Sequence, residues 1–246
     1  MRTALQLFCL VVLLTIGSAS ASFSCPAYRT FQIICNPYPD SMIGHQMSPA
    51  GRLAWEAWDG SDIEIFLHDG IRALQLTNND YDDHLMEVND LGHVAWMGSD
   101  GTGEEIFLYD GSDVVQITNA DYLFWDFSIL SFMMNAQMNN ADQIVWCGYR
   151  EGHREVGLYH GSGVSILDSN ADYYTAPQIN ETGQVVWSAQ GTTGHEVFLY
   201  DSGHTATVTN GEYLLCLFPQ LNTNGLVVWD GVTDWDVEFW HQYLSV

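Results

Sequence analysis

Lysine is absent from this chain, and six arginines face 31 acidic residues, for a formal charge of −25. An envelope of that sign repels nucleic acid and anionic lipid, which removes both from the expected partners. It suits cations, basic protein surfaces or neutral glycans. The short motifs of familiar chemistry are missing too: no GxSxG, no P-loop, no Gly-rich dinucleotide loop and no HExxH among the nine histidines. Cys-x-x-Cys and Cys/His ligand spacings are lacking, which argues against structural zinc. No segment has the length and 3.6-residue period of a stable helix. Beyond the first 16 residues no hydrophobic run is long enough to span a bilayer, so no membrane insertion is expected.

What the N-terminus does contain reads as a secretory signal over residues 1–21. Arg2 supplies the positive start, Ala4 to Ile16 the apolar stretch, and Ala19-Ser20-Ala21 the small-residue cleavage site. The expected product is a secreted or periplasmic chain of residues 22–246. It keeps Cys25, Cys35, Cys147 and Cys216, whose three possible pairings spacing cannot separate, Cys25 with Cys35 being the most local.

The rest of the sequence is a repeat. One phrase recurs as MSPAGRLAW, VNDLGHVAW, MNNADQIVW, INETGQVVW and LNTNGLVVW, ending at Trp55, Trp96, Trp146, Trp187 and Trp229, with steps of 41, 50, 41 and 42 residues. Each unit parses into four short apolar or alternating runs between Gly, Asp and Asn clusters, the signature of strands and hairpins. Asp69-Gly70 and Asp110-Gly111 supply the positive φ of tight turns. Four-stranded units bury both faces only when set radially, so the expected fold is all-β, a five-bladed β-propeller with each tryptophan in a seam between blades. The fifth unit runs out before its fourth strand, while Phe31-Gln32-Ile33-Ile34-Cys35-Asn36 resembles the fourth strand Leu74-Gln75-Leu76-Thr77-Asn78. Residues 31–36 are therefore expected to complete the last blade and close the ring.

The run Ser48 to Trp55, followed by Glu64-Ile65-Phe66-Leu67-His68-Asp69-Gly70 and Gln75-Leu76-Thr77, resembles the TolB-type, WD40-like propeller repeat across roughly residues 31–246. The resemblance implies the blade fold. TolB itself has six blades and a separate N-terminal domain, so its role in envelope complexes does not carry over.

In a four-stranded meander, the crossovers between blades share a face with the loops between second and third strands. A second repeated phrase falls on those crossovers and places Tyr81, Tyr122, Tyr173 and Tyr213 beside Asp or Glu. An aromatic face beside a carboxylate grips neutral sugars; seam packing with a wet hydroxyl is the plainer reading. One crossover is extended by Leu123 to Met134, and its Phe124, Trp125, Asp126 and Phe127 are candidate ligand or partner contacts if the loop forms an exposed patch rather than a plug. Gln46, Glu87, Gln137, Gln178 and Gln220 recur on the first strands and are candidate channel residues, with inter-blade hydrogen bonding as their plainer role. The loops Asp59-Gly60-Ser61-Asp62 and Asp100 to Glu104 offer carboxylates for calcium but match no EF-hand, so no cofactor is expected beyond that possibility.

Regular repetition without a unique catalytic constellation points to a noncatalytic, monomeric binding module for a protein or glycan ligand. A five-bladed lectin with repeated carbohydrate sites is one alternative. The other is a glycoside-active hydrolase, with Glu87 and Asp126 as its carboxylate pair at the channel mouth.

Overall fold

The computed structural model describes residues 9–15, 28–35, 42–119, 136–150, 152–169, 177–191, 194–209, 211, 213–232 and 240–244. They form strands and turns, with no helix among the described residues. Blade one comprises Met42–Met47, Leu53–Trp58, Ile63–His68 and Ala73–Gln75, and blade two His84–Val88, Val94–Ser99, Glu104–Tyr109 and Val114–Gln116. Blade three comprises Gln137–Met138, Ile144–Arg150, His153–Tyr159 and Val164–Asp168, and blade four Gln178–Ile179, Val185–Gln190, His195–Asp201 and His204–Thr207. Blade five has three strands, Leu215–Leu221, Val227–Val232 and Trp240–Leu244. All neighbours within a blade are antiparallel, and the first strands of successive blades touch in series from blade one to blade five. The fold is a five-bladed β-propeller.

The expected completion of blade five is not what the described residues show. Tyr28–Cys35, which holds Phe31 to Cys35, pairs antiparallel with Cys9–Thr15 in a separate two-stranded sheet. Residues 9–15 lie inside the expected leader and are the nearest apolar strand in sequence, so pairing with them closes the shorter loop. Asn36 lies outside the described residues.

Among the described residues, four seams each join two blades through one tryptophan. Trp96 packs with Ala54, Ile65 and Leu67 of blade one, Trp146 with Ala95, Ile106 and Leu108 of blade two, and Trp187 with Val145, Val156 and Leu158 of blade three. Trp229 does the same on Val186, Val197 and Leu199 of blade four. Within its own blade the indole stacks on a phenylalanine of the third strand: Trp55 on Phe66, Trp96 on Phe107 and Trp187 on Phe198, at centroid distances of 5.5 to 5.8 Å. Blade three has Gly157 at that place, and the ring of Trp146 fills the space a Cβ there would need.

A second device sets the spacing between blades. Asn89, Asn139, Asn180 and Asn222 stand at one position of the turn between first and second strands, seven residues before each tryptophan. The Oδ1 of each accepts two backbone N–H groups of its own turn, as Asn139 does from Ala141 and Gln143. The amide reaches onward: Asn89 Nδ2 donates to the Asn139 carbonyl (3.3 Å), Asn139 Nδ2 to that of Asn180 (3.0 Å), and Asn180 Nδ2 to that of Asn222 (3.0 Å). Ser48 takes the position in blade one, and there the Asp90 carboxylate bridges by accepting the Ala50 N–H at 2.8 Å. The tight turns rely on glycine at positive φ four residues before the tryptophan; Asp142 holds that conformation in blade three (φ 57°). Its carboxylate accepts from Asn89 Nδ2 at 2.9 Å and lies 2.7 Å from His93 Nδ1.

Two expectations follow for chemical unfolding. Trp146→Ala removes a fully buried indole and should cost about 3–5 kcal/mol. Asn139→Asp keeps the turn acceptor but loses the donation to blade four, and should cost about 1–2 kcal/mol with the blade pattern of the circular dichroism spectrum unchanged. An unaltered midpoint for the second variant would remove the cross-blade bond from the account.

Candidate functional site

The crossover between blades one and two is built on an Asx turn. Asn79 Oδ1 accepts the Tyr81 N–H at 2.7 Å, and Asn79 Nδ2 donates to Asp83 Oδ2 at 2.8 Å. The same crossover is tied to the start of the third strand of blade one. Asn79 N donates to Glu64 Oε1 (2.9 Å), Ile63 N to Asp82 Oδ1 (2.9 Å), and Asp83 N to the Ile63 carbonyl (2.7 Å). Asp83 is buried because residue 98 is glycine: its carboxylate occupies the place of a side chain there. Burial raises the Asp83 carboxyl above its ordinary range.

Those anchors leave Tyr81 standing 44% exposed between two clefts. One, about 260 Å³, lies over the stacked Trp96 and Phe107, with Leu76 and Val114 as apolar walls and Asp83, Ser99 and Asp100 as polar ones. The other, about 310 Å³, is mixed, with Asp82, His84, Ser99 and Glu104 beside Met97 and Gly98. The Tyr81 hydroxyl rests against Gly101 of the loop between the second and third strands of blade two. Crossover and loop thus share one face, as the meander requires. His84 pairs with Glu56 of blade one at 3.6 Å, and that carboxylate raises the imidazole above its ordinary value despite burial.

Tyr213, at the matching crossover, does a different job. It is 6% exposed, its ring meets Trp229 edge-on at 6.4 Å, and its carbonyl accepts the His195 N–H at 3.1 Å. Here the seam-packing reading holds. Tyr122, Tyr173, Phe124, Trp125, Asp126 and Phe127 lie outside the described residues.

The five first-strand residues take one register position. Gln46 pairs with Ala54, Glu87 with Ala95, Gln137 with Val145, Gln178 with Val186 and Gln220 with Val228, in each case the residue before the tryptophan. Gln46 and Gln220 are exposed; Glu87, Gln137 and Gln178 are half-buried. The cross-blade bonds described above run through asparagines instead. Burial pushes the Glu87 carboxyl up to about 7, against a Val88 N–H that favours the charged form. Cys147 and Cys216 are buried free thiols, in the seams of blades three to four and four to five, and burial pushes both up to about 12. Such thiols are poor nucleophiles. Cys25 lies outside the described residues.

Inspection of the sequence passed over one repeated group. A glutamate stands nine residues after each tryptophan, as Glu64, Glu105, Glu155 and Glu196 in blades one to four, and the first three are 0% exposed. The signal was present in the recurring Glu-Ile or Glu-Val that opens the apolar third strand. Among the described residues, Asp59, Asp62 and Glu64 are the one group whose ligand atoms lie within 4.8 Å of one another.

The fold and this site define the class: a five-bladed propeller of TolB-like repeats with an aromatic cleft between loops of adjacent blades. No protein-family model matches the chain, and no curated protein matches its sequence. Among solved structures, TolB from Acinetobacter baumannii is similar at 16% identity over 89% of this chain and 56% of that one, with a TM-score of 0.51. Porphyromonas gingivalis dipeptidyl peptidase 4 gives 12% identity, 77% and 35% coverage, and a TM-score of 0.57. A puromycin-hydrolyzing peptidase of Mycobacterium tuberculosis gives 14%, 82% and 35%, and 0.52. The likeness extends to the propeller and the repeat. This chain spans about half the length of that TolB and about a third of the two peptidases.

The raised Glu87 carboxyl has a consequence for stability. The folded state holds more protons than the unfolded chain between the ordinary value of 4.5 and about 7, so this contribution is full below the lower limit and is lost as pH rises through the upper. Glu87→Gln should make urea stability between pH 5 and pH 8 flatter by about 1–2 kcal/mol, a figure discounted for partial exposure. An identical pH profile in wild type and variant would contradict the shift.

Proposed function

We propose that this chain is an exported, noncatalytic binding module that takes a protein or glycan ligand on the crossover face, at the cleft beside Tyr81. One observation carries the reading. An exposed tyrosine stands over a Trp96–Phe107 wall, in a cleft whose polar side is formed by Asp83 and Asp100. Aromatic faces supply contact area at little entropic cost, and the surrounding carboxylates select partners bearing positive charge or hydroxyl groups. The chain's net charge of −25 favours a basic protein segment over a sugar. By its place in the repeat the segment from Leu123 to Met134 is expected on the same face, where Trp125 and Phe127 would extend the surface.

Export by a leader at residues 1–21 belongs to the same proposal. Removing Cys9–Thr15 frees the edge of Tyr28–Cys35, which then completes blade five and closes a monomeric ring; an unpaired edge invites other strands. A carbohydrate ligand is the second reading, favoured by the tyrosine–carboxylate pairing. A hydrolase reading rests on Glu87, held near pH 7.

Affinity capture with the processed chain, repeated with Tyr81→Ala, separates the readings. A protein partner retained by wild type, lost at least tenfold in the variant and indifferent to added oligosaccharides supports the proposal. Saturable sugar binding at the same residue supports the lectin reading. Turnover of a glycoside that Glu87→Gln abolishes would overturn both.

A further inference from the structure

Four blades carry the same glutamate, fully buried in blades one to three and half-buried in blade four, and blades two to four accommodate it by means visible in the structure. In blade two the Thr118 hydroxyl donates to Glu105 Oε2. In blade three Arg150 grips Glu155 with two bonds, Nε to Oε1 at 3.3 Å and Nη2 to Oε2 at 3.1 Å. In blade four residue 191 is glycine, and the half-buried Glu196 carboxylate turns into the space that a side chain there would fill. Blade one has a threonine at the same place, Thr77, whose hydroxyl hydrogen-bonds toward the Glu64 carboxylate, but it has neither the guanidinium nor the glycine. Glu64 is 0% exposed; Oε1 accepts the Asn79 N–H, while among the described residues Oε2 has no hydrogen-bond partner.

The position that settles the matter in blade three is the fourth after the tryptophan, where Arg150 stands. In blade one that position is Asp59. A carboxylate thus faces a buried carboxylate at the place where the sister blade sets a guanidinium. The buried Asp62 joins them, and Ser61 bridges the two aspartates by donating its hydroxyl to Asp59 Oδ1 (2.9 Å) and Asp62 Oδ1 (3.0 Å). Asp83 adds further negative potential. Blade two keeps an acid at the same position, Asp100, bonded by Thr102 and Gln116 as Asp59 is by Ser61 and Gln75. The difference lies at the glutamate, where Thr118 donates to Glu105 Oε2 while Glu64 Oε2 has no hydrogen-bond partner among the described residues.

We propose that blade one binds a divalent cation of the calcium class, coordinated by Asp59, Asp62 and Glu64, which does for Glu64 what Arg150 does for Glu155. The three ligand atoms lie within 4.8 Å of one another, the separation spanned by oxygens 2.3–2.6 Å from a common Ca²⁺. Water fills the remaining coordination sites. Magnesium, with its shorter bonds and strict octahedral demand, suits this spread of oxygens less well. The ion ties the loop at residues 59–62 to the strand that Asn79 clasps, directly beneath the crossover that carries Tyr81.

The test is calcium titration of the chelator-treated full chain, followed by calorimetry and thermal melting. Expected is one saturable site with Kd in the range of about 0.1–1 mM, as for extracellular calcium modules, and a midpoint several degrees higher at saturation. Terbium should bind in its place and emit on tryptophan excitation, with Trp58 adjacent in sequence. Glu64→Gln should lose the saturable site while still folding. Asp59→Arg, which copies blade three, should lose the calcium response and melt no lower than calcium-free wild type. Arg150→Gln should leave calcium binding intact. No saturable binding and no melting shift at about 10 mM Ca²⁺ would overturn the proposal and leave a protonated Glu64. Undiminished binding by Glu64→Gln would overturn it equally, by moving the ion elsewhere on an acidic surface.

Discussion

Angular spacing between blades is the constraint on which everything else in this molecule rests. A sheet of four short strands has no stability of its own; it gains it by burying both faces against neighbours held at a fixed angle. Two contacts fix that angle from opposite edges of the seam. The tryptophan fills the apolar interior, and the asparagine amide donates across to the next turn. Their constant separation of seven residues makes the pair one unit, repeated with the period of the chain. Loops on the other face can then vary freely, because neither contact passes through them.

The working face shows what such freedom permits. Equivalent tyrosines are used in opposite ways: Tyr213 is buried against Trp229, while Tyr81 is lifted into solvent by an Asx turn and by the space at Gly98 and Gly101. Equivalent glutamates are likewise treated differently: one accepts from a hydroxyl, one is held by a guanidinium, and one turns into the space beside a glycine. The repeat therefore specifies the problem each blade must solve, and local substitutions supply the answer. Similarity to TolB and to peptidase propellers at 12 to 16% identity fits this picture, since a seam needs only a few residues per blade.

Much of the fold was legible from the sequence because seams impose a period. Trp96, Trp146 and Trp187 announced their positions by spacing alone, and the first-strand residues Gln46 to Gln220 fall into one register as their repetition implied. Burial of Glu64, Glu105 and Glu155 was not legible: a glutamate opening an apolar strand looks like an exposed edge until the neighbouring blade is placed over it. The asparagine relay escaped notice for a related reason. Asn139 reads as an ordinary turn former, and only the three-dimensional approach of blade four reveals the use of its second nitrogen. In the full chain Tyr28–Cys35 pairs with Cys9–Thr15, a competing edge that was not legible because similarity to a fourth strand says nothing about which edge lies nearest along the chain.

The relay also has a direction. Each amide points forward, from blade two to three, three to four and four to five, and the serine that heads blade one has no amide to offer. A chain of donors with one polarity must begin and end somewhere, and here the first donor lies in blade two and the last acceptor, Asn222, in blade five. Blade one is held instead by the Asp90 carboxylate, which accepts the Ala50 N–H. That joint lacks the amide bond of the others, so heat, force or a prying ligand should find its first purchase there, in the seam whose crossover carries Tyr81.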